Sequence, residues 1–154
     1  QMFFRLAKAA GALINNADEY DVMVHEYHHK RKKDSPSGTA HTTGKILLDA
    51  IERKKRMSAE AQHDRIDPDT LHVSSTRGGE VIGKHTITLD SITDTIEIQH
   101  NAKNRSGFAS GALRAAKWIH ERKGLFDFVQ ALVRSHSSPL LWTWFVTRPA
   151  TSRH

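Results

Sequence analysis

The feature that most constrains the fold of this chain is a pair of neighbouring segments, residues 82–89 and 95–102, in which apolar and polar residues alternate. A period of two is the side-chain repeat of a β-strand with one buried face. The positions predicted to share that face are His85, Ile87 and Leu89 in the first segment, then Ile96, Ile98 and His100 in the second. The chain is therefore predicted to build a sheet that covers a core.

Other segments supply the remaining elements. Apolar residues at helical spacing predict helices over 3–15, 38–56 and 106–122, and strand-like segments lie at 20–27 and 71–76. The order helix, strand, helix, three strands, helix predicts an α+β fold. In this fold a mixed sheet of about four strands carries helices on one face.

Two details of this prediction can be checked directly. The polar stretch 57–70 is expected to be irregular. The last helix is expected to bury one side on the sheet. The residues of that side are Phe108, Ala112, Ala115 and Ile119.

Composition narrows the class of protein. The chain has 154 residues, 38% hydrophobic and 26% charged, which is typical of a globular protein rather than a disordered one. It has no cysteine, so a disulfide framework and a thiolate zinc site are excluded, and no apolar run approaches the length of a membrane-spanning helix. Nothing resembling a signal peptide opens it. A net charge of +6 favours an anionic partner without choosing among nucleic acid, membrane surface and acidic metabolite.

Residues 26–40 form the densest cluster of chemically reactive side chains. His28 and His29 follow a strand, where loops often carry function, and four consecutive cations occupy residues 30–33. Histidine can exchange protons near neutral pH, and a lysine among cations can act as an acid when its pKa is lowered.

The same segment ends in a predicted anion site. Ser37 is a natural N-cap for the helix that follows Pro36. The start of a helix presents free backbone N–H groups and the positive end of the helix dipole. Gly38 lets a ligand approach the backbone closely, and the hydroxyls of Ser37 and Thr39 can add hydrogen bonds.

Each part also has a simpler interpretation. The Ser-Pro-Ser-Gly-Thr stretch could be a plain helix cap, and the histidines and cations could be solvated surface. Basic clusters at 30–33 and 53–56 could bind nucleic acid. His25, His28 and His29 could be read as metal ligands, but no carboxylate at a convincing spacing supports this, so no metal is predicted.

The combination resembles a known family. Residues 26–40 read Glu-x-His-His-x-x-Lys-x-Asp-x-Pro-Ser-Gly-Thr-Ala, which resembles the signature of the bacterial dihydrodipicolinate reductases at every fixed position. Further similar segments follow at 77–85 (Arg-x-Gly-x-x-x-Gly-x-His), 97–105 (Glu-x-x-His-x-Ala-x-x-Arg), 108–118 and 124–128. The resemblance covers about residues 3–132.

The resemblance implies a function and site residues. The expected reaction is the NADPH- or NADH-dependent reduction of 4-hydroxy-tetrahydrodipicolinate, a cyclic dicarboxylate, in lysine and diaminopimelate synthesis in the cytoplasm. It implies that His28 is a proton donor and acceptor and that Lys32 is a proton donor. The residues implied in substrate binding are His29, Ser37, Gly38 and Thr39. Lys30, Arg31 and Lys33 are expected to steer a dianion electrostatically.

Two departures from the family pattern limit these expectations. No Gly-x-Gly-x-x-Gly occurs in the chain, so the nucleotide-binding domain is expected to be absent and the isolated fragment inactive. Residues 1–132 are expected to form the substrate-binding, catalytic and tetramerisation domain, and residues 133–154 an atypical tail.

The expected partners are a small dicarboxylate and three further copies of the chain in a homotetramer, with neither nucleic acid nor membrane. Two alternatives remain open: a remnant with only an assembly role, and a basic nucleic-acid-binding module.

Overall fold

A computed structural model of the chain describes residues 1–120 and 122–126. Its elements are α1 (Met2–Ile14), β1 (Asp21–His28), α2 (Gly38–Ala50), β2 (Arg56–Ser58), β3 (Thr70–Arg77), β4 (Lys84–Asp90), β5 (Thr95–Asn101) and α3 (Ser106–Ile119). The chain divides into two compact units, Gln1–Gly107 and Phe108–His154. The predicted boundary at 132 and the tail 133–154 lie outside the described residues, so both stay predictions.

The five strands form one mixed sheet in the order β2-β3-β1-β4-β5. Strand β3 pairs in parallel with β1 and β2, whereas β4 runs antiparallel to both β1 and β5. The predicted α+β fold with a mixed sheet is confirmed. The additional strand is β2, which begins inside the predicted helix and ends in the stretch predicted to be irregular. Three residues are too few to show an alternating pattern, and β2 exists because it pairs with β3.

The strand register arranges the core-facing side chains in rows that cross the sheet. One apolar row contains Val73, Val24, Ile87 and Ile98. The next row toward the carboxyl end of β1 contains Ser75, Glu26, His85 and His100. Val24, Val73 and Ile87 are buried in the core, as are Glu26 and His85. The covered face of the sheet therefore changes from apolar to polar and ionisable within a single step of the register.

Helices α1 and α2 pack against each other and against the sheet in the first unit. They approach each other closely at Gly11, where an added Cβ atom would lie 2.7 Å from the Cβ atom of Ala50. Ser37 is the N-cap of α2, and its hydroxyl accepts a hydrogen bond from the Ala40 backbone amide at 3.2 Å, as predicted. The helix ends at Ala50 instead of Arg56 because Ile51 turns to extended backbone, which starts the connection to β2.

The prediction for the last helix was only partly correct. Helix α3 is present but ends at Ile119, and none of its residues is buried. Phe108 is 62% exposed and Ile119 is 43% exposed. Because Phe108–His154 is a separate compact unit, the packing of α3 on the sheet stays a prediction. Helical spacing defines an apolar face, but it does not provide the surface that covers it.

Among the described residues, no helix is long and apolar enough to cross a membrane.

Candidate active site

The side chain of Glu26 is fully buried at the carboxyl end of β1 and makes several polar contacts. Its Oε1 atom accepts hydrogen bonds from the Ser37 amide at 2.8 Å, the Ser75 hydroxyl at 2.9 Å and the Arg77 guanidinium at 2.7 Å. We call the residues around this carboxylate the Glu26 cluster, which comprises Glu26, His28, Ser37, Ser75, Arg77 and His85.

The other oxygen of this carboxylate faces two histidines and the helix cap. Glu26 Oε2 accepts a hydrogen bond from the Ser37 hydroxyl and lies 3.3 Å from His85 Nε2 and 3.6 Å from His28 Nε2. Burial raises the pKa of Glu26, but hydrogen bonds from His85, Ser37 and Arg77 outweigh this and hold the pKa well below its usual range. The carboxylate is therefore ionised at any physiological pH.

The imidazole of His28 is held on three sides. Its Nδ1 atom lies 2.9 Å from the carbonyl oxygen of Ile82, its Cε1 atom lies against Gly83, and its Nε2 atom faces Glu26. A carbonyl oxygen can only accept, so Nδ1 carries the hydrogen. Burial lowers the pKa of His28, the charge of Glu26 opposes that effect, and Lys32 adds a smaller lowering. His28 is consequently a mostly neutral imidazole near pH 7 with its acceptor nitrogen at Nε2.

Lys32 lies in the loop between β1 and α2. Its Nζ atom is 2.6 Å from Asp34 Oδ1, and the lysine side chain is 22% exposed. The hydrogen bond from Lys32, with a smaller contribution from the Gly38 backbone amide, lowers the pKa of Asp34. A carboxylate thus already lies within reach of both a lysine and the amino end of a helix. The space beside Gly38 is open, since an added Cβ would meet nothing within 4 Å.

The predicted residues therefore fall into two neighbouring groups. His28 and Ser37 belong to the Glu26 cluster, whereas Lys32 binds Asp34 in the loop before Gly38. The electrostatic effect of Lys32 on the His28 pKa connects the groups.

The two other predicted residues lie beside these groups. The ring of His29 lies 6.5 Å from the ring of His28 and perpendicular to it. Thr39 lies in the first turn of α2, where its carbonyl oxygen accepts a hydrogen bond from Thr43. No described contact joins the side chain of either residue to Lys32, and their binding roles stay predictions.

The basic clusters are largely engaged by the protein itself. Arg31 forms an exposed ion pair with Glu80. Arg53 donates to the carbonyl oxygens of Ile14, Ala17 and Tyr20, and the buried Lys54 contacts Asp21. The cluster at 53–56 is therefore mainly structural, which disfavours it as a phosphate-binding surface.

The arrangement of histidines differs from the metal hypothesis raised by the sequence. His25 lies on the other face of the sheet, where its Nδ1 atom is 2.6 Å from the Ser74 hydroxyl. Candidate donor atoms of Glu26, His28 and His85 lie within 4.8 Å of one another instead. Because both oxygens of Glu26 already accept hydrogen bonds and one faces Arg77, we interpret this group as a hydrogen-bonded cluster.

A surface cavity of about 440 Å³ opens elsewhere, near Tyr27, Lys84 and Lys103. It contains none of the predicted site residues. The chemistry of this chain is concentrated instead at the junction of β1 and α2.

Sequence reasoning assigned no role to Glu26, Asp34, Ser75 or Arg77. One available signal was the alternation in β1, where Val22, Val24, Glu26 and His28 share the inward parity and are buried. A carboxylate in that series must find partners, because an unpaired buried charge is strongly unfavourable.

With this geometry established, comparison identifies the class of protein. The family model described as "Dihydrodipicolinate reductase, C-terminus" matches residues 1–132. The chain belongs to this family, and the resemblance inferred from its motifs is confirmed.

Relatives bear the name 4-hydroxy-tetrahydrodipicolinate reductase. The protein of that name from Methanoregula boonei is 44% identical over 123 residues, which is 79% of this chain and 46% of the relative. The one from Chromobacterium violaceum is 37% identical over 134 residues, covering 84% of this chain and 49% of the relative. The chain thus spans about half the length of the curated relatives that it matches.

A solved structure shows the same fold. It is described as dipicolinate-bound dihydrodipicolinate reductase from Paenisporosarcina sp. TG-14. The similarity has a TM-score of 0.58 at 22% identity and covers 81% of this chain and 49% of that chain.

Proposed function

We propose that this chain supplies the substrate site of a 4-hydroxy-tetrahydrodipicolinate reductase of lysine and diaminopimelate synthesis, located in the cytoplasm. The observation that carries the proposal is that Lys32 binds the carboxylate of Asp34 in the loop that leads into α2. A site that holds one carboxylate in this way has the chemistry to hold a carboxylate of a small cyclic dicarboxylate.

The substrate carboxylate competes with Asp34 for the same donors. Lys32 contributes a charge-assisted hydrogen bond, and the Gly38 amide and Thr39 hydroxyl contribute two more. His29 and Ser37 complete the binding surface in this proposal. The open space beside Gly38 allows a flat ring to approach the backbone.

The acid–base chemistry is assigned to Lys32 and His28. The overall reaction takes up one hydride and one proton and releases one water, so that the 4-hydroxy compound becomes tetrahydrodipicolinate. Lys32 donates its proton at Nζ, next to the bound carboxylate. His28 exchanges protons at Nε2, which is the free acceptor nitrogen of its neutral ring.

The hydride comes from NADPH or NADH in this proposal, but the described residues do not fit that cofactor. A dinucleotide site requires a glycine-rich turn before a helix, and the sequence has none. The nucleotide is therefore proposed to be held mainly by a nucleotide-binding domain that these 154 residues do not include.

The proposed assembly is a homotetramer formed through the sheet. Tyr27 and Met23 point away from the core and are each more than a third exposed. Thr86, Thr88 and Thr95 lie on β4 and β5, where β-branched side chains suit packing between sheets.

The proposal is tested by calorimetry of dipicolinate binding to the full chain and two variants. Lys32→Ala removes a charge-assisted hydrogen bond and should weaken binding about 10- to 100-fold. Lys33→Ala removes the same charge one residue away and should change the affinity little. Equal losses in both variants would mean that the loop acts only through net charge, and absence of binding to the parent chain would refute the proposal.

A further inference from the structure

Glu26 occupies the point where β1, β3, β4 and the start of α2 meet. Strand register places it between Ser75 of β3 and His85 of β4. Ser37, the N-cap of α2, donates hydrogen bonds to its carboxylate. A buried carboxylate in such a position requires several donors, because burying an unsatisfied charge costs several kcal/mol.

We propose that Glu26 is a positioning residue that stabilises the proton gained by His28 at Nε2 and, through Ser37, holds the start of α2 beside that ring. The proposal rests on the function proposed above. In this proposal the carboxylate of Glu26 holds His28, which exchanges protons, next to the start of α2, which binds the substrate carboxylate.

The contacts of His28 define its tautomer. With the hydrogen on Nδ1 donated to the Ile82 carbonyl, Nε2 is the only nitrogen that can gain a proton. That proton would lie on the side of Glu26 Oε2, 3.6 Å away. The carboxylate thereby stabilises the charged ring in a setting where burial disfavours it.

Other charged and titratable groups also face His28 and must be counted. His85 on β4 contacts the ring at 5.2 Å between centroids, and Lys32 in the loop adds a positive charge. Arg77 on β3 donates to the other oxygen of Glu26, Oε1. The ring of His29 lies 6.5 Å from the ring of His28. Among these groups only Glu26 is an anion, and its charge, together with the hydrogen bond to the Ile82 carbonyl, favours protonation of His28.

The contact with Ser37 gives the same carboxylate its second effect. The Ser37 amide and hydroxyl both donate to Glu26, and the hydroxyl also accepts from the Ala40 amide. The first turn of α2 is thus attached to β1 through one side chain. Gly38 and Thr39 follow immediately in the chain and take their positions from that attachment.

The experiment is a histidine titration of the full chain by long-range ¹H–¹⁵N NMR. In the parent chain, neutral His28 should be the Nδ1–H tautomer. In Glu26→Gln, which keeps the shape but removes the charge, the pKa of His28 should fall by about one unit or more. Ser75→Ala is the matched control, because it removes one donor to the same carboxylate but leaves the charge, and it should leave the His28 pKa close to that of the parent.

The outcomes separate this inference from the proposed function. An Nε2–H tautomer in the parent chain would overturn it without any variant, even if Glu26→Gln failed to fold. Equal His28 pKa values in Glu26→Gln and Ser75→Ala would also overturn it. A parent chain that shows the expected titration but no affinity for dipicolinate would contradict the proposed function and leave the positioning role of Glu26 supported.

Discussion

Substitution of Gly83 by alanine tests the packing of the candidate site without altering any charge. Gly83 is buried in the connection between β3 and β4, and a Cβ atom added there would lie 2.8 Å from His28 Cε1. Its φ angle is not positive, so alanine can adopt the backbone conformation. The cost must therefore come from the imidazole of His28, which has to move.

The magnitude follows from three contributions. Displacing the ring weakens its hydrogen bond to the Ile82 carbonyl, at a cost of about 1 kcal/mol. Adding a methyl group to a filled site costs about 1–3 kcal/mol. Replacing glycine restricts the unfolded chain and returns about 0.4–1 kcal/mol. The expected net loss in the free energy of unfolding is about 2 kcal/mol.

Urea unfolding of the full chain measures this loss, and Gly78→Ala provides the control. Gly78 lies in the same connection and also has no positive φ, but a Cβ atom there would meet nothing within 4 Å. Gly78→Ala should therefore be neutral or slightly stabilising. If Gly83→Ala proved as stable as Gly78→Ala, the His28 ring would not be held against Gly83, and the geometry of the candidate site would be wrong.

Three further predictions concern stability and assembly. Lys54→Met should lower the free energy of unfolding by about 2–4 kcal/mol, because the carbonyl oxygens of Pro68 and Thr70 lose the hydrogen bonds that Lys54 donates. Lys55→Met, at an exposed position, should be close to neutral in the same urea assay. The free energy of unfolding should fall as the pH is lowered from 7 to 5, because burial lowers the pKa of His25, His28 and His100 and the unfolded chain then binds more protons than the folded one. Urea unfolding that is independent of pH over this range would contradict this prediction. Light scattering on the purified chain should show a homotetramer, with a dimer as the fallback, and a monodisperse species of 17.4 kDa at micromolar concentration would contradict the proposed assembly.

The sequence predicted the elements of this fold better than their partners. Alternation identified β4 and β5, and Ser37 was correctly predicted to cap α2. The short strand β2 was missed because pairing with β3, and not its own pattern, defines it. The buried side of α3 stays a prediction, since an apolar stripe specifies a face but not the surface that covers it.

The candidate site was predictable for residues whose chemistry is local to the chain. Lys32, Gly38 and Ser37 lie within a few positions of one another, and a helix start determines much of their geometry. The contributions of Ser75, Arg77 and His85 depend on strand register, which brings these residues to Glu26 from about 50 to 60 positions away along the chain. A single sequence carries no direct measure of that register.

The two adjacent histidines illustrate how a strand separates neighbouring side chains. Successive residues of a strand point to opposite faces, so Glu26 and His28 share the core side of β1, while His29 lies beyond the strand end. His28 is therefore buried against a carboxylate with a defined tautomer, whereas His29 is half-buried and lies perpendicular to it. Because side chains alternate along a strand, a glutamate two residues before His28 lies on the same face as that histidine. The buried charge of Glu26 is therefore next to His28 and not next to His29. Moving the carboxylate by a single residue, to the position of Tyr27, would place it on the opposite face of the sheet, away from His28, Ser37 and Arg77.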